Sequence, residues 1–153
     1  MSTLRAHLTE NMKTCMKEKD ELGLSTVRLI LSALKDKDID ARGKGRPDGL
    51  NDGEIMSMLQ TMIKQRQESA KIYVDNNRPE LAAREDQEIA VIQTFLPTQL
   101  DEAATKAAIK AIIASTEAAG IKDMGKVMAV LKDTHAGQID MTKAGPWVKA
   151  LLN

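Results

Sequence analysis

Apolar residues recur along this chain at steps of three and four almost throughout, and no long run of alternating β-branched residues interrupts them. That period belongs to helices with one buried stripe. A first helix is expected over Thr3–Lys19, with Leu4, Leu8, Met12, Cys15 and Met16 turned inward. A second is expected over Leu24–Asp40, where Leu24, Val27, Leu31 and Leu34 form one stripe and Ile30 widens it. ARGKGRPDGLND then reads as a loop from its glycines and proline. Asn51 followed by Glu54 resembles a capping box and opens a third helix through Ile55, Leu59, Met62, Ile63 and Tyr73 to about Val74. Pro79 suits the first position of a fourth helix, with Leu81, Ile89, Ile92, Phe95 and Leu96 at core spacing.

Pro97 breaks the pattern, and the composition shifts to shorter, alanine-rich elements. One is expected from the cap Asp101 to Gly120, one from Asp123 to His135, and one from about Asp140 with Trp147, Val148 and Leu151 inward. Pro146 in the last is tolerable only near a first turn. The expected fold is all-α: an N-terminal four-helix lobe over residues 1–96, then a small C-terminal three-helix lobe over 97–153, hinged near Pro97.

Composition narrows the function classes. At 153 residues, a chain buries about 70% of its unfolded surface and needs neither metal nor disulfide to fold. With 22 basic and 22 acidic residues the net charge is +0, so nucleic-acid binding is confined to local patches. One cysteine, no apolar leader in MSTLRAHLTENMK and no membrane-length apolar run give the expectation of a soluble, cytoplasmic protein with no membrane association.

Catalytic signatures are missing. Cys15 sits on an apolar helix face; His7 reads as a surface residue and His135 as a helix-end residue, neither with metal-ligand spacing to partners. No metal, no cofactor and no catalytic residue is expected. Glu85, Asp86 and Glu88 read as a solvated face among arginines, and RGKGR, Arg42 to Arg46, as a mobile basic loop. Aromatics make up only 2%, which disfavours stacking on single-stranded bases.

Charge is nonetheless uneven. From Gly120 to Asn153 five lysines face three acids, while between Asp75 and Glu102 seven acids face two arginines. In IKDMGKVMAVL, Gly125 and Lys126 fall in the first turn of a helix capped by Asp123, where both are unfavourable for the helix itself. Either this helix start binds phosphate, or Gly125 admits a close neighbouring helix and Lys126 points into water. The candidate nucleic-acid-binding set is Lys122, Gly125, Lys126, Lys132 and Lys143. Arg28, Lys64 and Arg66 are secondary candidates; for Arg28 the ordinary reading is an ion pair with an acid of another helix.

LSTVRLILSALK, IKQRQESAKIY, IAVIQTFLPTQL, KDMGKVMAVLK and GQIDMTKAGPWVKALL, in that order, resemble the YqeY-like family. The C-terminal part of that family is similar to the tail domain of the B subunit of aspartyl/glutamyl-tRNA amidotransferase, GatB. The resemblance implies a two-lobe helical accessory protein whose tail contacts tRNA or another RNA through phosphates. It also implies a possible amidotransferase or translation-related protein partner. A carbon–nitrogen ligase role using glutamine would have to be borrowed from such a partner, since the amidotransferase's catalytic domain is absent. A third reading is a protein-interaction adaptor using methionine-rich faces.

Overall fold

The computed structural model describes residues 3–153, and within them the chain is helical with no strand. Its elements are α1 (Thr3–Glu18), α2 (Glu21–Gly43), α3 (Asp52–Asp75), α4 (Pro79–Gln93), α5 (Glu102–Thr116), a 3₁₀ turn (Ile121–Asp123), α6 (Met124–Thr134) and α7 (Met141–Leu152). Two compact units divide between Leu96 and Pro97.

The first unit holds α1 to α4 around Leu8, Val27, Ile30, Ile55, Leu59 and Ile92, all fully buried. The helix starts follow local chemistry. The Asp20 carboxylate accepts from Gly23 N at 3.0 Å, so α2 begins at Glu21, ahead of the expected Leu24, and it runs past Asp40 to Gly43. At α3 the capping box is complete: Asn51 accepts from Glu54 N and the Glu54 carboxylate accepts from Asn51 N, each at 2.9 Å. Pro79 opens α4.

Two expected core residues lie outside it. Met16 is 52% exposed near the end of α1, and Leu81 is 40% exposed in the first turn of α4, where little packs over a helix end. The other described methionines are buried or half-buried. His7 is exposed, with its ring edge-on to buried Phe95 at 5.1 Å.

Besides the exposed Thr3 hydroxyl donating to Asp52 at 2.8 Å between α1 and α3, two charged links join helices among the described residues of this unit. Arg66 Nε donates to Glu88 Oε2 at 2.9 Å between α3 and α4, both side chains largely covered. Glu88 is therefore structural and buried, not part of a solvated face; Arg84, 3.6 Å away, also faces it. The second link is the bidentate Arg5–Asp38 pair, both bonds 2.6 Å, between α1 and α2.

The second unit packs α5, α6 and α7 around Ile109, Val127, Leu131, Ala144 and Val148. Asp101 and Asp140 cap α5 and α7. Helix α5 stops at Thr116, short of the expected Gly120, because Glu117 turns left-handed at φ 54°. Pro146 is the sixth residue of α7, beyond the first turn. It removes one ladder bond, to the carbonyl of Thr142, an exposed residue that water can serve. The segment after Pro97 is tied to the loop before α7: Leu100 N donates to Gln138 O at 2.9 Å, and the Gln99 amide to Gly137 O at 2.5 Å.

Candidate functional site

The start of α6 differs from a simple capped helix. Asp123 stands at the cap position, but its carboxylate accepts from Ala119 N at 2.9 Å and makes no bond into α6. Lys126 does not reach for the helix start either. Its Nζ donates to the Thr116 carbonyl at 3.1 Å, a cation on the C-terminal end of α5 where the helix dipole favours one. Gly125 is exposed, and a Cβ built on it would meet nothing within 4 Å. Within its own unit, then, no packed neighbour among the described residues explains this glycine.

The remaining lysines are distributed. Lys122 lies in the 3₁₀ turn, Lys132 in the last turn of α6 and Lys143 in the first turn of α7. All three are exposed, and none has an ion-pair partner among the described residues. Lys126 and Lys132 are six residues apart, about 9 Å along the axis and roughly 120° around it, so the set is not one cluster. Lys122 and Gly125 are the members that share the α6 start.

The secondary candidates separate further. Arg66 is consumed by Glu88 and by the Met62 carbonyl at 3.2 Å, so it holds helices together. Lys64 is exposed on α3. Arg28 is exposed on α2 and, among the described residues, has no carboxylate within ion-pair distance, contrary to the expected pairing. The RGKGR loop is not free: Lys44 binds Asp40 at 2.7 Å, Arg46 binds Glu54 at 2.6 Å, and Arg42 Nε donates to the Pro47 carbonyl.

One polar centre was missed in the sequence. Asp38 is 5% exposed and accepts from Arg5 and from Leu50 N at 2.9 Å, while Arg5 also donates to the Leu50 carbonyl. The Arg5 hydrogen bonds hold the Asp38 carboxyl below its ordinary range, although burial acts the other way. Gly49, at φ 72°, leaves room for this carboxylate; a Cβ there would collide with it. The signal was present: Asp38 falls on the buried stripe after Ile30 and Leu34. Beside it an open groove of about 770 Å³ is bordered by Arg5, Arg46, Asp48 and Asp52. Its arginines are occupied by carboxylates, which leaves it poorly suited to an anion.

Burial pushes the Cys15 thiol up, the behaviour of an inert core cysteine. Among the described residues, no three His, Cys, Asp or Glu side chains gather to hold a metal, and no helix is long and apolar enough to cross a membrane.

These features define an all-helical protein whose accessible chemistry is charge displayed on helix faces. The chain belongs to the YqeY-like family, whose model, described as Yqey-like protein, matches residues 5–152. It is also similar to proteins named "Altered inheritance of mitochondria protein 41, mitochondrial". The relative from Lachancea thermotolerans is 36% identical over 91 residues, 60% of this chain and 46% of the relative. That from Vanderwaltozyma polyspora is 36% identical over 89 residues, 58% of this chain and 46% of the relative. That from Saccharomyces cerevisiae strain YJM789 is 30% identical over 89 residues, with the same two shares. The chain spans about half the length of these relatives.

The comparisons correct one expectation. The relatives are named as mitochondrial proteins, which points to the mitochondrion and overturns the cytoplasmic placement. A single reduced cysteine and the lack of a membrane-length helix do not distinguish one reducing aqueous compartment from another.

Proposed function

We propose that this protein is an accessory factor that contacts tRNA, or a related folded RNA, through phosphates, with chemistry, where needed, supplied by a protein partner. The observation that carries this reading is the open start of α6. Gly125 is exposed with empty space over it, no side chain caps the helix, and Lys122 stands one turn away without a carboxylate. The Met124 N–H is taken by the Ile121 carbonyl of the 3₁₀ turn, so the Lys122 ammonium and the positive end of the helix dipole are what suit a phosphate here. Lys143 and Lys132 add exposed charge elsewhere on the unit, whereas Lys126 contributes mainly by holding the end of α5.

The resemblance of the C-terminal part to a tRNA-facing amidotransferase tail supports the same reading. So do the aromatic rings: Phe95 is 5% exposed, and Trp147 is half-buried with the Lys106 ammonium 5.5 Å from its ring centre. Neither forms an open stacking platform, so contact is by backbone and shape.

Binding of purified protein to unfractionated tRNA over a salt series tests the reading. A log–log slope that becomes shallower in Lys122→Glu supports it, and absence of binding at low salt refutes it. Glutamine-dependent amide formation appearing only with a partner would instead assign the protein to a ligase complex. RNA-independent capture of one partner would favour an adaptor.

A further inference from the structure

Helix α2 carries a second cationic row that the C-terminal lysines do not explain. Arg28, Ser32, Lys35, Ile39 and Arg42 follow one another at steps of four, three, four and three. Such steps keep side chains within about 40° of one line and place successive cations about 10 Å apart along about 21 Å of axis. All five are exposed. The opposite side of the helix is fixed in the core by Val27, Ile30 and Leu34, so the row is held facing outward.

The state of these charges sets the row apart. Several other cations of the same unit are spent on carboxylates: Arg5 on Asp38, Lys44 on Asp40, Arg46 on Glu54, Arg66 on Glu88; Lys17, Lys19, Lys37 and Lys71 are not, but they do not share one helix line as the row does. Arg28 has only Leu24, Ser25, Leu31 and Ser32 at helical contact spacing. Lys35 has Leu31, Ser32, Ile39 and Asp38, and Asp38 is already committed to Arg5. Arg42 donates to the Pro47 carbonyl through Nε; its charge also acts on Asp38, one turn before it and committed to Arg5, and among the described residues no carboxylate lies within ion-pair distance of it. No acid lies within the row.

We propose that this face of α2 docks the phosphate backbone of a folded RNA. The inference rests on the RNA-binding reading above and adds to it a second contact surface, in the other unit. Cations in line with no carboxylate between them match a linear polyanion, which releases counterions for each phosphate neutralised. The Ser32 hydroxyl supplies a further donor, and an aliphatic Ile39 suits ribose and backbone contact over base stacking. An anionic membrane is the poorer fit: an interfacial helix needs a broad apolar face beside its cations. Here Ile39 in the row and Leu29 beside it are the exposed large apolar side chains of α2, and Val27, Ile30 and Leu34 face the core.

The test measures tRNA binding over a salt series for wild type, Arg28→Gln/Lys35→Gln/Arg42→Gln, the charge-preserving Arg28→Lys/Lys35→Arg, and Lys122→Glu/Lys143→Glu. Melting curves verify folding, and Lys35→Gln alone serves if the triple variant is unstable. Phosphatidylserine vesicles form a parallel arm. Removing three phosphate contacts makes the log–log slope shallower by about 2 to 3, one contact by about 0.7 to 0.9, and the charge-preserving variant keeps the wild-type slope. A triple variant that binds tRNA like wild type while the Lys122/Lys143 variant loses affinity overturns the row and leaves the tail reading standing. Loss of vesicle binding in the triple variant with tRNA binding intact overturns it in favour of a lipid surface. Absence of tRNA binding by the wild type at low salt overturns both readings together.

Discussion

The two units differ in how charge joins their helices. In the first, buried or half-buried pairs such as Arg66–Glu88 and Arg5–Asp38 join one helix to another, while Arg28, Lys35 and Arg42 stay unpaired on the outer face of α2. In the second, the core is closed by aliphatic side chains and by caps from Asp101 and Asp140, while Lys122, Lys132 and Lys143 stay in solvent. A charge facing a carboxylate across an interface is part of the fold, and a charge left alone on a helix face is available to a partner. Lysines and arginines of similar appearance in the sequence therefore have unlike consequences.

The largest break in this comparison is Arg66→Ala. It removes the hydrogen bond to the mostly covered Glu88 and leaves it only the exposed Arg84 at 3.6 Å, and is expected to cost about 2 kcal/mol, measured by denaturant unfolding, against less than about 0.5 kcal/mol for Lys122→Ala. Equal, small effects would remove the distinction.

Asp38→Asn follows, with an expected loss of about 2 kcal/mol at neutral pH from the weakened Arg5 and Leu50 bonds. The carboxyl is held below its ordinary value chiefly by the Arg5 hydrogen bond. Its contribution is therefore present above the unfolded value near 4 and lost as the pH falls through the lower folded value. Wild type should lose stability below about pH 4 on this account, and the variant should show a flatter acid limb in a pH series of melting temperatures.

Gly125→Ala separates folding from binding. With open space over Cβ, alanine should stabilise α6 by about 0.5 to 1 kcal/mol while weakening tRNA binding if a phosphate sits on that helix start. The smallest effect is Lys126→Ala, about 0.5 kcal/mol from loss of the contact to Thr116 O, read in the same melts.

Helical periodicity carried most of the architecture, because apolar spacing and caps such as Asn51–Glu54 and Asp101 act locally. Errors fell where a local signal pointed two ways. Leu81 matches a core period but lies in an uncovered first turn, and Met16 lies near the end of α1. The side-chain pairings were less legible. Nothing within one helix says that Arg66 finds Glu88, 22 residues on, or that Lys126 turns back to Thr116. Asp38 carried a local signal that went unread: a carboxylate on an apolar stripe needs a cation, and Arg5 supplies it. Gly125 was legible as an anomaly; only the empty space over it left it without a packed neighbour in its own unit.

The central claim is that unpaired charge in the C-terminal unit reads RNA phosphates, and one measurement addresses it most directly: the salt dependence of tRNA binding by wild type and Lys122→Glu. The account predicts linear log–log plots, with the variant's slope shallower by about 0.7 to 0.9 and its fold unchanged by melting. Superimposable plots, or no binding by the wild type at low salt, would contradict it.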